Sequence, residues 1–230
     1  MDIQAEEKGE TAMKKRIDRP MKAAIFDMDG TLIDSMNEWR KLNSSFVREQ
    51  GVDLTPEQEQ TLQGMSGMMV VDYIREQYGI HTEFTTLVDR ASRKMEPVYV
   101  AGVPHKPGAA AYLKRLHERG VKCVVATATP ARLALIALNK TGLVPDLDYI
   151  YSADMIGGTK AQTEFFDRLC AMIGEKKEDC VMFEDGLYAM QGARRAGLGV
   201  VGVTDRTNLR DREAIHAVCD VVIDSYDELE

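Results

Sequence analysis

From Met21 onward, short and almost wholly apolar runs alternate with helix-length amphipathic segments, and that alternation restricts the fold more than any other feature. The runs are KAAIF (22–26), VKCVVA (121–126), DYIYS (148–152), CVMF (180–183), LGVVGV (198–203) and VVI (221–223). A strand that is apolar at successive positions has no face to offer water, so it belongs in a sheet covered on both sides. The covers are at hand in ARLALIALNKT, KAQTEFFDRLCAMI and LYAMQGARRAG, whose apolar residues recur three and four positions apart. Strand and helix in alternation predict a doubly wound, Rossmann-like α/β core with a parallel sheet. In such a sheet the ligand site lies at the carboxyl ends of the strands. Residues that carry chemistry are therefore expected just after strands.

The rhythm breaks once. Residues 35–102 contain helical pattern and no strand-like run, and Thr55-Pro56 followed by Glu57 and Glu59 reads as an N-cap with an acidic first turn. The expected organisation is an α/β core from 21–34 and 103–230, an α-helical cap at 35–102, and a charged, disordered extension at 1–20. That extension lacks the apolar centre of a secretory signal, and no run of 18 apolar residues offers a membrane span. A net charge of −8 argues against nucleic acid as the main ligand. Cys123, Cys170, Cys180 and Cys219 form no CxxC pair and have no histidine cluster nearby, so reduced thiols in a cytoplasmic protein are expected. His81, His105, His117 and His216 have no ligand spacing and are assigned no role.

Four features fall where the sheet predicts a site. Asp27-Met28-Asp29-Gly30-Thr31 follows the first strand and Thr127-Ala128-Thr129 the second; Lys160 begins the helix after the third, and Glu184-Asp185-Gly186 follows the fourth. Singly, each is a turn, an N-cap or a solvated lysine. Together they bring several carboxylates against one lysine, an arrangement that repels itself unless a cation joins it. An all-oxygen donor set suits Mg²⁺, and a phosphoryl group is the natural further ligand of such a metal. Asp27 is then placed to attack phosphorus and Asp29 to act as general acid and base. The Thr127 hydroxyl, main-chain N–H groups beside Ala128 and the Lys160 ammonium would hold the phosphoryl oxygens.

The run FDMDGTLIDS, followed in order by Thr127, Lys160 and FEDG, resembles the haloacid dehalogenase superfamily of phosphohydrolases. The resemblance covers all but the N-terminal tail and implies Asp27 as nucleophile and Asp29 as acid/base. It also implies a Mg²⁺ ion held by Asp27, by the Asp29 main-chain carbonyl and by Asp185, with Glu184 acting through a water. A helical cap inserted after the first motif is similar to the phosphoglycolate-phosphatase and β-phosphoglucomutase branch. Lys160 departs from many members of that branch, running into Ala161-Gln162-Thr163 where they carry Pro-x-Pro. The expected activity is a Mg²⁺-dependent phosphatase acting on a small phosphorylated metabolite, with the chain a monomer or weak homodimer.

Two other readings belong beside it. A mutase of the β-phosphoglucomutase kind resembles this chain, but its histidine and its cap arginine fall on Trp39 and Gly67 here. A non-catalytic phosphate-binding module would have lost Asp27, Asp29 or Lys160, and all three are present. Substrate choice is expected to lie in the cap, with Trp39 and the stretch Gly64-Met65-Ser66-Gly67-Met68-Met69 as candidate contacts and Met65 and Met69 foremost. If those methionines face the site, they favour a small, partly apolar leaving group without heavy charge.

Overall fold

The protein is known from a computed structural model that describes residues 14–62, 65, 67–206 and 208–230. All six expected strands form: β1 (Ala23–Phe26), β2 (Lys122–Thr127), β3 (Tyr149–Ser152), β4 (Cys180–Glu184), β5 (Gly199–Val203) and β6 (Val221–Ile223). They make one sheet in the order β3-β2-β1-β4-β5-β6, with every neighbouring pair parallel. The chain winds outward from β1 to β3 and then returns to the other side of β1, so the switch point lies between β1 and β4.

The pleat explains why these strands are apolar throughout. Ala24, Phe26, Cys123, Val125, Val181 and Phe183 project into one layer. Their neighbours Ala23, Ile25, Val124, Ala126, Cys180 and Met182 project into the other. The first layer is closed by α5 (Ala109–Glu118) and α6 (Ala131–Thr141) through Tyr112, Leu113, Leu116, Leu133 and Leu138. Phe26 and Phe183 stack there with ring centroids 4.6 Å apart. The second layer is closed by α8 (Thr163–Ile173), α9 (Leu187–Ala196) and α10 (Arg212–Val218), through Phe165, Phe166, Leu169, Met190 and Ile215; a short α7 (Ala153–Ile156) follows β3. Each large side chain buried this way contributes roughly 1.5–3 kcal/mol relative to exposure.

Between β1 and α5 lie four helices: α1 (Met36–Glu49), α2 (Pro56–Leu62), α3 (Gly67–Tyr78) and α4 (Phe84–Ala101), with no strand among the described residues. They bury a cluster of their own made of Phe46, Val47, Leu62, Val70, Val71, Ile74 and Leu87. At the start of α2 the Thr55 hydroxyl accepts from Gln58 N (3.3 Å) and the Gln58 side chain accepts from Thr55 N (2.8 Å), a reciprocal cap. The last helix also reaches the sheet, since Met95 and Tyr99 are buried in the layer that holds Phe26. Arg132 of α6 grips Glu96 of α4 through two 2.7 Å bonds.

Residues 1–13 of the expected disordered extension lie outside the described residues, but residues 14–20 are held against the core. Lys15 N donates to Glu228 O (2.6 Å), Lys15 Nζ to Val222 O (2.7 Å) and Arg19 to Gly197 O (3.1 Å). Ile17, the one apolar residue among charges there, packs on the buried layer, and that burial offsets the ordering cost that composition alone suggested could not be met. The four cysteines are free, with Cys123, Cys170 and Cys180 buried. No helix among the described residues is long and apolar enough to cross a membrane.

Candidate active site

The ends of β1 and β4, side by side at the switch point, bring three carboxylates together. One oxygen each from Asp27, Glu184 and Asp185 falls within a mutual 4.8 Å, and all three residues are buried. Asp27 is fixed by its main chain, its N–H donating to Phe183 O at 2.9 Å. Lys160, 3% exposed, bridges the group by donating to Asp27 Oδ1 and, at 2.8 Å, to Glu184 Oε2. Two glycines let these groups close in. Gly30, at φ +84°, would place a Cβ only 2.3 Å from Asp185 Oδ2, and Gly192 of α9 would place one 1.9 Å from the Lys160 carbonyl oxygen.

One lysine against three carboxylates leaves an excess of negative charge in a low-dielectric place. Burial, reinforced by the Glu184 and Asp29 charges and opposed by Lys160, pushes the Asp27 carboxyl up to about 8. Burial first, then the Glu184, Asp27 and Asp205 charges, raise Asp185 well above the usual range. Burial works against the charged form of Lys160, but the attraction of Asp27 and Glu184 outweighs it and the ammonium is raised.

The carboxylates differ in what remains free. Glu184 Oε1 accepts from the main-chain N–H of Asp185 (3.1 Å) and Gly186 (2.9 Å), while Oε2 takes the lysine. Both its oxygens are engaged, so Asp27 and Asp185 are the two acids of the cluster that would have an oxygen left for a cation. Asp185 takes one bond from Thr31 Oγ1 (3.2 Å), and its main-chain oxygen accepts from Asn208 Nδ2 (2.9 Å). The oxygen-only donors and the steric cradle at Gly30 fit a small hard cation such as Mg²⁺.

Asp29 stands apart from this group. Its Oδ1 accepts from Ser35 Oγ and from Tyr99 OH, each at 2.6 Å, and its Oδ2 accepts from Thr129 Oγ1 at 2.7 Å. Burial first, then the Asp29 charge, push the Tyr99 phenol far up, so it keeps its proton and donates. Trp39 Nε1 donates to the same phenol oxygen at 3.2 Å. Thr127 Oγ1 accepts from Thr129 N at 3.0 Å, which sets the turn that carries Ala128.

A cavity of about 490 Å³ opens over the strand ends. Asp27, Asp29, Thr127, Ala128, Glu184 and Asp185 lie on its floor, and Trp39, Met65 and Met69 on the wall supplied by the inserted helices. Lys160 is not on the cavity surface; it sits behind Asp27 and Glu184. Gly64 and Ser66 of the expected contact loop, and the side chain of Met68, lie outside the described residues. Sequence reasoning passed over Ser35, Tyr99 and Asn208. Ser35 sat in plain view at the end of FDMDGTLIDS, whereas Tyr99 and Asn208 carry no local signal.

The haloacid dehalogenase-like hydrolase family matches residues 21–197. The chain belongs to that family and is an enzyme of the phosphohydrolase kind. It is 28% identical to validoxylamine A 7'-phosphate phosphatase of Streptomyces hygroscopicus subsp. limoneus, over 90% of this chain and 95% of that one. It is 25% identical to a β-phosphoglucomutase of Bacillus subtilis, over 80% of this chain and 83% of that one. A family IA haloacid dehalogenase hydrolase from Entamoeba histolytica shares the fold, with a TM-score of 0.77 at 17% identity, covering 91% of this chain and 96% of the other.

Proposed function

We propose that this protein is a Mg²⁺-dependent phosphatase that hydrolyses a small phosphate monoester through an aspartyl-phosphate on Asp27. The observation that carries the proposal is the buried Asp27–Lys160–Glu184 bridge beside Asp185, set at the floor of the cavity. A carboxylate oxygen of Asp27 attacks phosphorus, and the ester P–O bond breaks as Asp29 gives its proton to the leaving alkoxide. A water then attacks the acyl phosphate and passes a proton to Asp29, freeing Asp27 and inorganic phosphate. The Thr127 hydroxyl and N–H groups at Ala128 hold the phosphoryl oxygens, while Lys160, behind the cavity floor and not on the phosphate where sequence had set it, balances the charge of Asp27 and Glu184. Asp27, Asp185 and the Asp29 main-chain carbonyl would hold the Mg²⁺, whose chemistry is to neutralise charge on those oxygens.

The inserted helices form the cap, and the cavity wall of Trp39, Met65 and Met69 shapes the leaving-group pocket. Hydrolysis is favoured over mutase chemistry because Trp39 offers no titratable group and its N–H is spent on Tyr99. The phosphatase relative supports the same reading. The test is phosphate release from p-nitrophenyl phosphate and a panel of small esters, with Mg²⁺ and with EDTA, for wild type and Asp27→Asn. Metal-dependent release that disappears in Asp27→Asn is expected. Conversion of β-glucose 1-phosphate to glucose 6-phosphate faster than phosphate release would replace the phosphatase by a mutase.

A further inference from the structure

Among the described residues three cations line the cavity, and one of them has no counter-charge there. Arg90 and Lys94, both on α4, share Glu49: Arg90 Nη1 lies 3.4 Å from Oε2, and Lys94 bonds Oε1. Arg40, on α1 one residue past Trp39, has no carboxylate within salt-bridge distance among the described residues. Among the described residues its guanidinium makes a single bond, Nη2 to the main-chain oxygen of Arg206 at 2.9 Å. Its Nε is buried and has no hydrogen-bond partner. A buried guanidinium N–H without an acceptor is costly, so a native structure that keeps one calls for an explanation.

Position makes the missing partner a ligand. The bond to Arg206 ties Arg40 to the segment after β5, where Asn208 supports the main chain of Asp185. Arg40 thus lines the same cavity as Asp27 while standing on the inserted helices. One Nη2 N–H is spent on the Arg206 carbonyl, and the remaining terminal N–H groups of a planar fork suit an oxyanion.

We infer that Arg40 is a specificity residue that binds a second anionic group on the substrate, a carboxylate or a second phosphate at the end away from the scissile ester. This rests on the proposed phosphatase reading and deepens it. It also revises the expectation of a leaving group without heavy charge: Gly67 supplies no arginine, but α1 does.

Binding of two non-hydrolysable ligands tests the assignment without turnover. Titration calorimetry in Mg²⁺ compares 3-phosphonopropionate with propylphosphonate, which lacks the distal carboxylate, for wild type, Arg40→Met and Arg40→Lys. A charge-assisted hydrogen bond predicts that wild type binds the dianionic-ended ligand roughly tenfold or more tightly. Arg40→Met should bring the two ligands to within about twofold, and Arg40→Lys should recover part of the gap. Propylphosphonate binding reports that the variant is folded. Equal binding of both ligands by wild type, or an equal loss of both in Arg40→Met, would overturn the role of Arg40 and leave the phosphatase standing. Phosphate release from no ester, with the calorimetric preference intact, would instead remove the phosphatase reading and keep the anion site.

Discussion

Replacing Lys160 by Met tests the electrostatic reading of the site most directly. The side chain is 3% exposed and faces two carboxylates, so the substitution keeps the stem's volume while deleting the cation that faces three buried acids. At an effective dielectric near 20, a unit pair at the 2.8 Å Lys160–Glu184 separation attracts by roughly 6 kcal/mol before desolvation. Dehydrating the ammonium opposes that gain, and removing one partner of a buried pair costs about 3–5 kcal/mol net. Lys160→Met should therefore lose about 3–5 kcal/mol in urea unfolding at neutral pH with EDTA present. Mg²⁺ should shrink that loss, because it restores positive charge to the same carboxylates and stabilises the folded state by mass action. The double variant Lys160→Met/Asp27→Asn also removes one of the two acids that the lysine bonds, and its cost should fall at least about 1 kcal/mol short of the sum of the singles. A loss below about 1 kcal/mol in the single variant, or strict additivity in the double, would refute the idea that Lys160 compensates the cluster.

Two further outcomes follow from contacts elsewhere in the site. Gly192→Ala puts a methyl 1.9 Å from the Lys160 carbonyl oxygen, so α9 and the lysine loop must separate; unfolding should show a loss of about 1–3 kcal/mol, and phosphatase activity a drop on the order of 100-fold. Wild-type stability and activity together would mean that the close approach is dispensable. Tyr99→Phe removes one of three donors to Asp29 and the acceptor of the Trp39 N–H. It should cost roughly 1.5–3 kcal/mol in stability and lower kcat more than it raises KM, whereas a change confined to KM would place Tyr99 in substrate binding.

Much of this architecture was open to sequence reasoning because it follows from a burial constraint. A strand covered on both faces must be apolar at consecutive positions, and KAAIF and CVMF obey that so fully that β1 and β4 stand out without any partner being known. Once the sheet is parallel, the chemistry must follow the strands, and Asp27, Thr127 and Asp185 do. Insertion helices were equally legible, because residues 35–102 lack any such run. The N-terminal segment was not, since the ordering of residues 14–20 rests on Ile17 meeting a surface built by distant parts of the chain.

What sequence could not give is the division of labour among similar side chains, because that is set by which lone pairs are already taken. Glu184 and Asp185 are adjacent acids, and only the family resemblance set Asp185 on the metal and Glu184 behind a water. In the folded chain Glu184 spends its two oxygens on main-chain N–H groups and Lys160, which makes it the anchor of the lysine. Asp185 keeps an oxygen free in the cradle left by Gly30. The same accounting separates Asp27 from Asp29. Asp29 is held by Ser35 at the start of the insertion, Tyr99 near its end and Thr129 on the core. Three donors from three parts of the chain hold that carboxylate away from Asp27, Glu184 and Asp185. The proposed acid/base role needs that separation, because a carboxylate bound to a metal could not trade a proton with a leaving group.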